Sequence, residues 1–211
     1  MKTVYLVRHG EAENNVRSHL IYESRKARLT ELGSRQAKII AERTSKLPIQ
    51  ALVASSFVRA QQTAEAISKA TGLSVETSDL FGERRPPSEW DGQLKERVRP
   101  LEIDWEKAYF TNQSKDSDAE TVGEIISRGM KAIRYLESRP EEHVMVVTHG
   151  FFLRVLAGLA IFGETLTPSI LKGIEWGFRT KNTGLSIIRH DPEDAYKPWY
   201  MVVWNDHAHL G

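Results

Sequence analysis

The sequence predicts an α/β fold, and three observations carry that expectation. Short apolar runs of strand length recur at Val4 to Val7, Ala51 to Ala54 and Val144 to Val147. A stretch with helical apolar spacing follows each of them, and strands alternating with helices indicate βα units around a largely parallel sheet. Two of the runs end alike, Val7-Arg8-His9-Gly10 and Val147-Thr148-His149-Gly150. Ligands of open α/β sheets bind outside the carboxyl ends of the strands. If the two strands are parallel neighbours, His9 and His149 share one pocket although 140 positions separate them. A single strand-end His is most simply a residue bonded to backbone; two matching endings, one preceded by Arg, favour a function.

In chain order, Val4 to Val7 is a strand buried on both faces, and Gly10 after it permits a tight turn and close ligand approach. Residues 11 to 28 are polar and irregular, including Glu11, Glu13, Asn14, Asn15 and Arg17, and read as a loop with a short helix. Thr30 is the candidate N-cap of a helix closed by Pro48. Ala51 to Ala54 is the second strand, and Ser56 can cap the helix from Phe57 to Ala70. Arg59 lies in the first turn of that helix, where its charge opposes the helix dipole; a bound anion resolves the conflict, and an arginine folded out to solvent is the plain alternative. Leu73 to Thr77 is a third strand.

Glu83 stands where the chain leaves the sheet, and Pro86-Pro87 force an extended path. Residues of about 84–118 form a cap insertion, one or two helices broken at Pro100, with Asn112 to Asp118 as its mobile loop. The basic residues Arg84, Arg85, Lys95, Arg97 and Arg99 are either a solvated face or a preference for acidic substrates. A long helix runs from about Ala119 to Ser138 and is stopped by Pro140. Another, 151–162, follows the His149 strand. Gly173 to Thr180, Gly184 to His190 and Trp199 to Trp204 read as β-like. No repeat or linker is evident, so 1–211 is taken as a single domain.

Composition narrows the function. The chain has 211 residues, 40% hydrophobic and 27% charged, with a net charge of +1. That balance points to neither a nucleic-acid nor a membrane partner. Without cysteine there are no disulfides, thiolate metal sites or Cys nucleophiles, in agreement with a reducing cytoplasm. The first strand starts at once, leaving no room for a signal peptide. No apolar run reaches the ~20 residues of a membrane helix; the longest carries Arg154.

Arg8, His9, Asn15, Arg59, Glu83 and His149 are the polar residues near strand ends. Two arginines, two histidines and an amide converging on one place suit an oxyanion such as phosphate, and a neutral His can attack phosphorus. No Gly-x-x-x-x-Gly-Lys-Ser/Thr loop is present.

Leu6-Val7-Arg8-His9-Gly10-Glu11 resembles the Arg-His-Gly signature of the histidine phosphatase superfamily, the phosphoglycerate mutase-like proteins. Asn15 falls where that family has a phosphate-binding Asn. Ser55 to Ala64 resembles its Ser-x-x-x-Arg-Ala-x-x-Thr-Ala segment, and Thr148-His149-Gly150 its late histidine motif. Asn182-Thr183-Gly184 and the end from Asn205 to Leu210 are also similar to family segments. The resemblance implies a three-layer αβα sandwich with a mostly parallel central sheet and a small helical cap. It also implies a histidine acid phosphatase-type phosphatase or phosphotransferase working through a phosphohistidine, with no cofactor or metal. His9 would be the nucleophile; Arg8, Asn15, Arg59 and His149 would hold the phosphoryl group. Glu83 would be the proton donor, with Glu89 as the alternative.

Mutase members usually follow that Glu with Tyr-Gly, whereas Arg84-Arg85-Pro86-Pro87 stands here, and the chain is shorter than typical mutases. Both facts favour a phosphomonoesterase of a small phosphorylated metabolite over a phosphoglycerate mutase. A metal-dependent hydrolase using His9, Glu11, Glu13, His149, His207 and His209 ranks lower, since the pattern lacks a helical His-x-x-x-His pair. Substrate identity and oligomeric state are not legible at this level.

Overall fold

The structure, a computed structural model, describes residues 1–16, 20–111 and 118–211. Its centre is a six-stranded sheet in the order β3-β2-β4-β1-β5-β6. The strands are β1 (Lys2–Arg8), β2 (Ala51–Ala54), β3 (Val75–Thr77), β4 (His143–Thr148), β5 (Leu185–His190) and β6 (Trp199–Asp206). The β3-β2, β2-β4 and β4-β1 pairs are parallel; β5 is antiparallel to both β1 and β6. Helices cover both faces, giving the three-layer sandwich expected from the sequence.

The strand residues sort between the two layers with the period of two that a pleated strand imposes. Val4, Leu6, Val53, Val144 and Val146 join the core beneath α4 (Val122–Ser138), α5 (Gly150–Phe162) and α6 (Pro168–Gly177). Tyr5, Val7, Leu52, Ala54, Met145 and Val147 join the opposite core, with Ile40 and Ala41 of α1 (Glu31–Thr44) and Ala60, Ala64 and Ile67 of α2 (Val58–Thr71). Burial on both faces explains why these strands read as unbroken apolar runs.

Thr30 caps α1 as expected, its hydroxyl accepting from Gly33 N at 3.0 Å. Ser56 does not cap α2. Its hydroxyl turns to Asp79, and Ser55 Oγ instead accepts from Phe57 N at 3.3 Å. The long helix begins three residues later than expected, at Val122, because Thr121 and Glu124 form a reciprocal capping box there. α3 (Lys95–Tyr109) runs unbroken through Pro100. The proline lies in the second turn and forgoes a single intrahelical bond, to Glu96, on the exposed side.

The segment Gly173 to Thr180, expected to be β-like, is mostly helical. Thr167 caps α6 by accepting from Ile170 N, Pro168 takes the first position, and Leu171 and Ile174 are buried three apart. Start signals and helical spacing outweigh the local β-branched and aromatic content. The third strand is shorter than expected, Val75–Thr77. Of the loop expected at Asn112 to Asp118, residues 112–117 lie outside the described residues, as does Arg17.

Between β3 and α4 the chain makes the excursion that carries α3. Trp105 and Tyr109 of α3 stack edge to face at 5.0 Å, and Tyr109 meets Phe151 of α5 at 5.7 Å. These rings join α3 to the α5 side of the sheet at the carboxyl ends of the strands. Among the described residues no helix is long and apolar enough to cross a membrane.

Gly10 has a different task from the one its position suggests. Its φ is not positive, and a Cβ on it would come within 2.5 Å of the Gly33 carbonyl oxygen. A Cβ on Gly33 would stand 1.9 Å from Glu11 O. The two glycines let the segment after β1 press against the first turn of α1. In an open helix, Gly to Ala stabilises by up to about 1 kcal/mol. At Gly33 the sign reverses: Gly33→Ala is expected to destabilise by about 1–3 kcal/mol through forced backbone movement. A urea unfolding curve reads this as a lower midpoint at unchanged slope.

Candidate active site

β1 and β4 pair in parallel up to Arg8 opposite Thr148, so the next residues, His9 and His149, emerge side by side. His9 N donates to Thr148 O at 2.9 Å, and Ser55 N, at the end of β2, donates to Val147 O at 3.0 Å. The imidazole centroids are 5.1 Å apart, inclined at 60°.

The tautomer of His9 follows from its neighbours. Nδ1 is 2.6 Å from Gly10 O, a group that can only accept, so Nδ1 carries the proton. Nε2 therefore presents a lone pair, toward which Arg59 Nε–H is directed at 3.0 Å. His9 is 2% exposed. Burial first, then the charges of Arg59 and Arg8, push its pKa well below 6.5. The ring is thus a neutral base with its free nitrogen facing the Arg59 Nε–H.

Arg59 is buried, not folded out to solvent. Its Nη1 donates to Ser24 O at 2.6 Å, and its guanidinium lies over the Phe57 ring at 5.1 Å. Burial brings its pKa down to about 10, so it stays charged at neutral pH. Arg8 is anchored by Nη1 donating to Thr180 O at 2.9 Å, while its Nε has no acceptor among the described residues. Gly150 lets it pass, since a Cβ there would sit 3.3 Å from Arg8 Nε. His149 Nε2 shares a 2.8 Å hydrogen bond with Ser55 Oγ; its Nδ1 is buried and has no partner among the described residues. Burial, again ahead of Arg59, lowers the His149 pKa well below 6.5. Asn15 Oδ1 accepts from Ala12 N at 3.1 Å, which leaves its amide N–H groups as donors on the pocket rim.

Glu83 sits at the amino end of α5, where one oxygen accepts from Phe151 N at 3.0 Å and the other from Phe152 N at 3.1 Å and Arg84 N at 3.0 Å. Its segment is fixed by Arg128 of α4, which donates to the carbonyls of Leu80, Gly82 and Glu83 while paired with buried Glu120. Glu89 is exposed on the turn 88–90 and does not line the pocket. The structure thus brings Arg8, His9, Asn15, Arg59, Glu83 and His149 into one region. Among the described residues no three His, Cys, Asp or Glu side chains are grouped to hold a metal ion.

A pocket lined by Arg8, Asn15, Arg59 and Glu83 has a volume of about 400 Å³, with His9 and His149 buried and not among its lining residues. Its walls include residues the sequence reading did not place there, notably Tyr22, Glu102, Trp105, Arg154 and Glu175. Supporting contacts were missed too. Thr63 Oγ1 accepts from Gly10 N at 3.1 Å, and Asn182 Nδ2 donates to His9 O at 3.0 Å. Thr63 and Asn182 lay within the family-like segments, and a charge inside the apolar helix 151–162 was a further visible signal: Arg154 proves to lean on Phe178 O and Gly150 O.

Two buried neutral histidines make stability pH-dependent. In the unfolded chain each takes a proton near pH 6.5, in the folded chain only at much lower pH, so protons favour unfolding and stability falls below pH 6.5. The slope is up to about 1.4 kcal/mol per pH unit for each group. His209, also lowered chiefly by burial, acts in the same sense. His149→Asn is expected to remove about one proton's share of the slope between pH 6.5 and 5, read from urea unfolding at several pH values.

Comparison with known proteins agrees with this geometry. The sequence model of the histidine phosphatase superfamily (branch 1) matches residues 4–207. A curated relative from Yersinia pestis, "Probable phosphoglycerate mutase GpmB", is 30% identical, covering 100% of this chain and 95% of its own. Bacillus stearothermophilus YhfR superposes with a TM-score of 0.81 at 23% identity over the full length of both chains. The alpha-ribazole phosphatase of Shigella flexneri superposes with a TM-score of 0.77 at 20% identity, over 97% of this chain and 96% of that one. With β1 and β4 ending together on Arg8-His9 and Thr148-His149, and a family match over nearly the whole chain, this protein belongs to the histidine phosphatase superfamily.

Proposed function

We propose that the protein is a phosphomonoesterase that hydrolyses a small phosphorylated metabolite through a phosphohistidine at His9. The observation that carries this reading is the His9 tautomer: Nδ1–H is held by Gly10 O, so Nε2 is an unprotonated nucleophile facing Arg59. Entry of a phosphoryl group moves the Arg59 Nε–H from His9 onto a phosphoryl oxygen. Arg8 Nε, the Asn15 amide and His149 Nδ1, each a donor without an acceptor among the described residues, take the other oxygens. For His149 this requires the tautomer in which Ser55 donates to Nε2. Donors set in place before charge develops stabilise the transition state without reorganisation.

In the first step His9 Nε2 forms a bond to phosphorus, the bond to the ester oxygen breaks, and that oxygen leaves with a proton from Glu83. In the second, water attacks the phosphohistidine, Glu83 takes the water proton, and the N–P bond breaks to release phosphate. His9 is regenerated neutral, and no cofactor takes part.

A phosphoglycerate mutase is the second reading, favoured by the name of the 30% identical relative. The two differ in the acceptor, water or another hydroxyl of the bound sugar acid. The phosphatase reading expects phosphate release from monoesters without formation of 2-phosphoglycerate from 3-phosphoglycerate. Rapid interconversion with little phosphate released decides for the mutase. In either case, acid-labile, base-stable label trapped during turnover is expected on His9, and His9→Ala is expected to abolish turnover; label on a serine excludes both.

The role of Glu83 is tested through the leaving group. Glu83→Gln is expected to slow an alkyl phosphate far more than p-nitrophenyl phosphate, whose leaving group needs little protonation. Equal losses on both substrates remove Glu83 from proton transfer.

A further inference from the structure

The loop that carries Glu83 is held by side chains that do not line the pocket. The carbonyls of Leu80, Phe81, Gly82 and Glu83 are consecutive, and a side chain donates to each. Arg128 Nη1 reaches Leu80 O at 2.9 Å and Gly82 O at 2.8 Å, and its Nη2 reaches Glu83 O at 3.3 Å. Thr148 Oγ1 donates to Phe81 O at 2.6 Å. Thr148 ends β4 and precedes His149, so the loop is bonded directly to the strand end of the site. Neither Arg128 nor Thr148 is a lining residue.

A guanidinium has five N–H donors, and here all five are used. Besides the three carbonyls, Arg128 Nε donates to Glu120 Oε1 at 2.7 Å and Nη2 to Glu120 Oε2 at 2.8 Å. Its Cζ lies 4.4 Å from the centre of the Phe152 ring, and Phe152 N is one of the donors to the Glu83 carboxylate. Glu120 is 2% exposed, and its backbone N–H donates to Arg85 O at 2.8 Å. One buried pair thus grips the chain on both sides of Glu83 and packs on a residue that seats its carboxylate.

Stability alone gives little reason for such a pair. Desolvation of two buried charges cancels most of their attraction, and apolar residues of similar volume serve a core as well. A lysine would also neutralise Glu120, but its point charge cannot meet three carbonyls in fixed directions. What the arginine adds is direction. Its planar fork sets where three peptide groups point, and these set where the Glu83 side chain leaves the backbone.

We propose that Arg128, oriented by Glu120, is the positioning residue for the proton donor, holding Glu83 where it can reach the ester oxygen. Arg128 touches no substrate and acts through the 80–83 loop. This rests on the phosphomonoesterase reading above, with Glu83 as the donor.

The test compares kcat/KM for ethyl phosphate and for p-nitrophenyl phosphate, a quantity that reports the step breaking the ester bond. Arg128→Lys keeps a charge beside Glu120 and loses the fork. It is expected to lower the ethyl phosphate value by about 10- to 100-fold and the p-nitrophenyl phosphate value by less than about threefold, since a misplaced acid matters where the leaving group needs its proton. In a Glu83→Gln background the same substitution is expected to cause no such selective loss, because the two residues act as one unit. Equal losses on both esters, or a selective loss that persists beside Glu83→Gln, overturn the inference and leave Arg128 a structural residue. Should Arg128→Lys fail to fold, as read by urea unfolding, Glu120→Gln decides on the same two criteria, with a selective loss of roughly 10-fold expected. If the wild-type enzyme releases phosphate from neither ester, the phosphatase reading fails and takes the inference with it. If it hydrolyses both and Glu83→Gln is not selective, Glu83 is not the donor and this inference falls alone.

Discussion

The parallel pairing of β1 with β4 is the constraint on which the site depends. The pair ends in register at Arg8 and Thr148, so two residues 140 positions apart in the chain leave the sheet together. Their backbones are locked on both sides. His9 N is bonded to Thr148 O, and Thr183 N donates to Arg8 O from the loop before β5. Strand ends held by a ladder move little, and a nucleophile and its charge partners need that fixity. The close contact of Gly10 with Gly33 extends the same rigidity into α1, and Thr63 of α2 takes up the Gly10 N–H.

Electrostatics gives this rigid edge its chemistry. Arg59 and His149 are almost fully buried beside His9, an arrangement unfavourable until an anion arrives. Both histidines remain neutral because burial and nearby cations disfavour a further positive charge. Buried cations beside neutral histidines suit an anionic group. Stability given up at a functional site in this way is a common trade.

Floor and walls have different origins. The floor is made of strand ends and the first turn of α2, elements that define the fold itself. The walls come from α3, α5 and α6, whose pocket residues are set by helix packing rather than by the sheet. A TM-score of 0.81 at 23% identity shows that such a frame persists while most side chains change. Glu102, Trp105 and Glu175 stand on these walls.

The chain alone determined the alternation of strands and helices and the two matching His-Gly endings. It also placed Arg59 at the start of a helix and supplied the motifs by which the family is recognised. These are local features: periodicity, capping residues and short spacings are written in neighbouring positions. Where local signals competed, the reading failed, as at 173–180, where β-branched and aromatic residues hid a helix started by Thr167-Pro168. Only the tertiary structure decided the tautomer of His9, the burial of Arg59 and the seating of Glu83 on the amino end of α5. It alone showed that Gly10 serves α1. Pocket residues such as Glu102 and Glu175 lie on helices far apart in the chain. Which side chains meet across that distance is set by packing and strand order, and no local pattern encodes it.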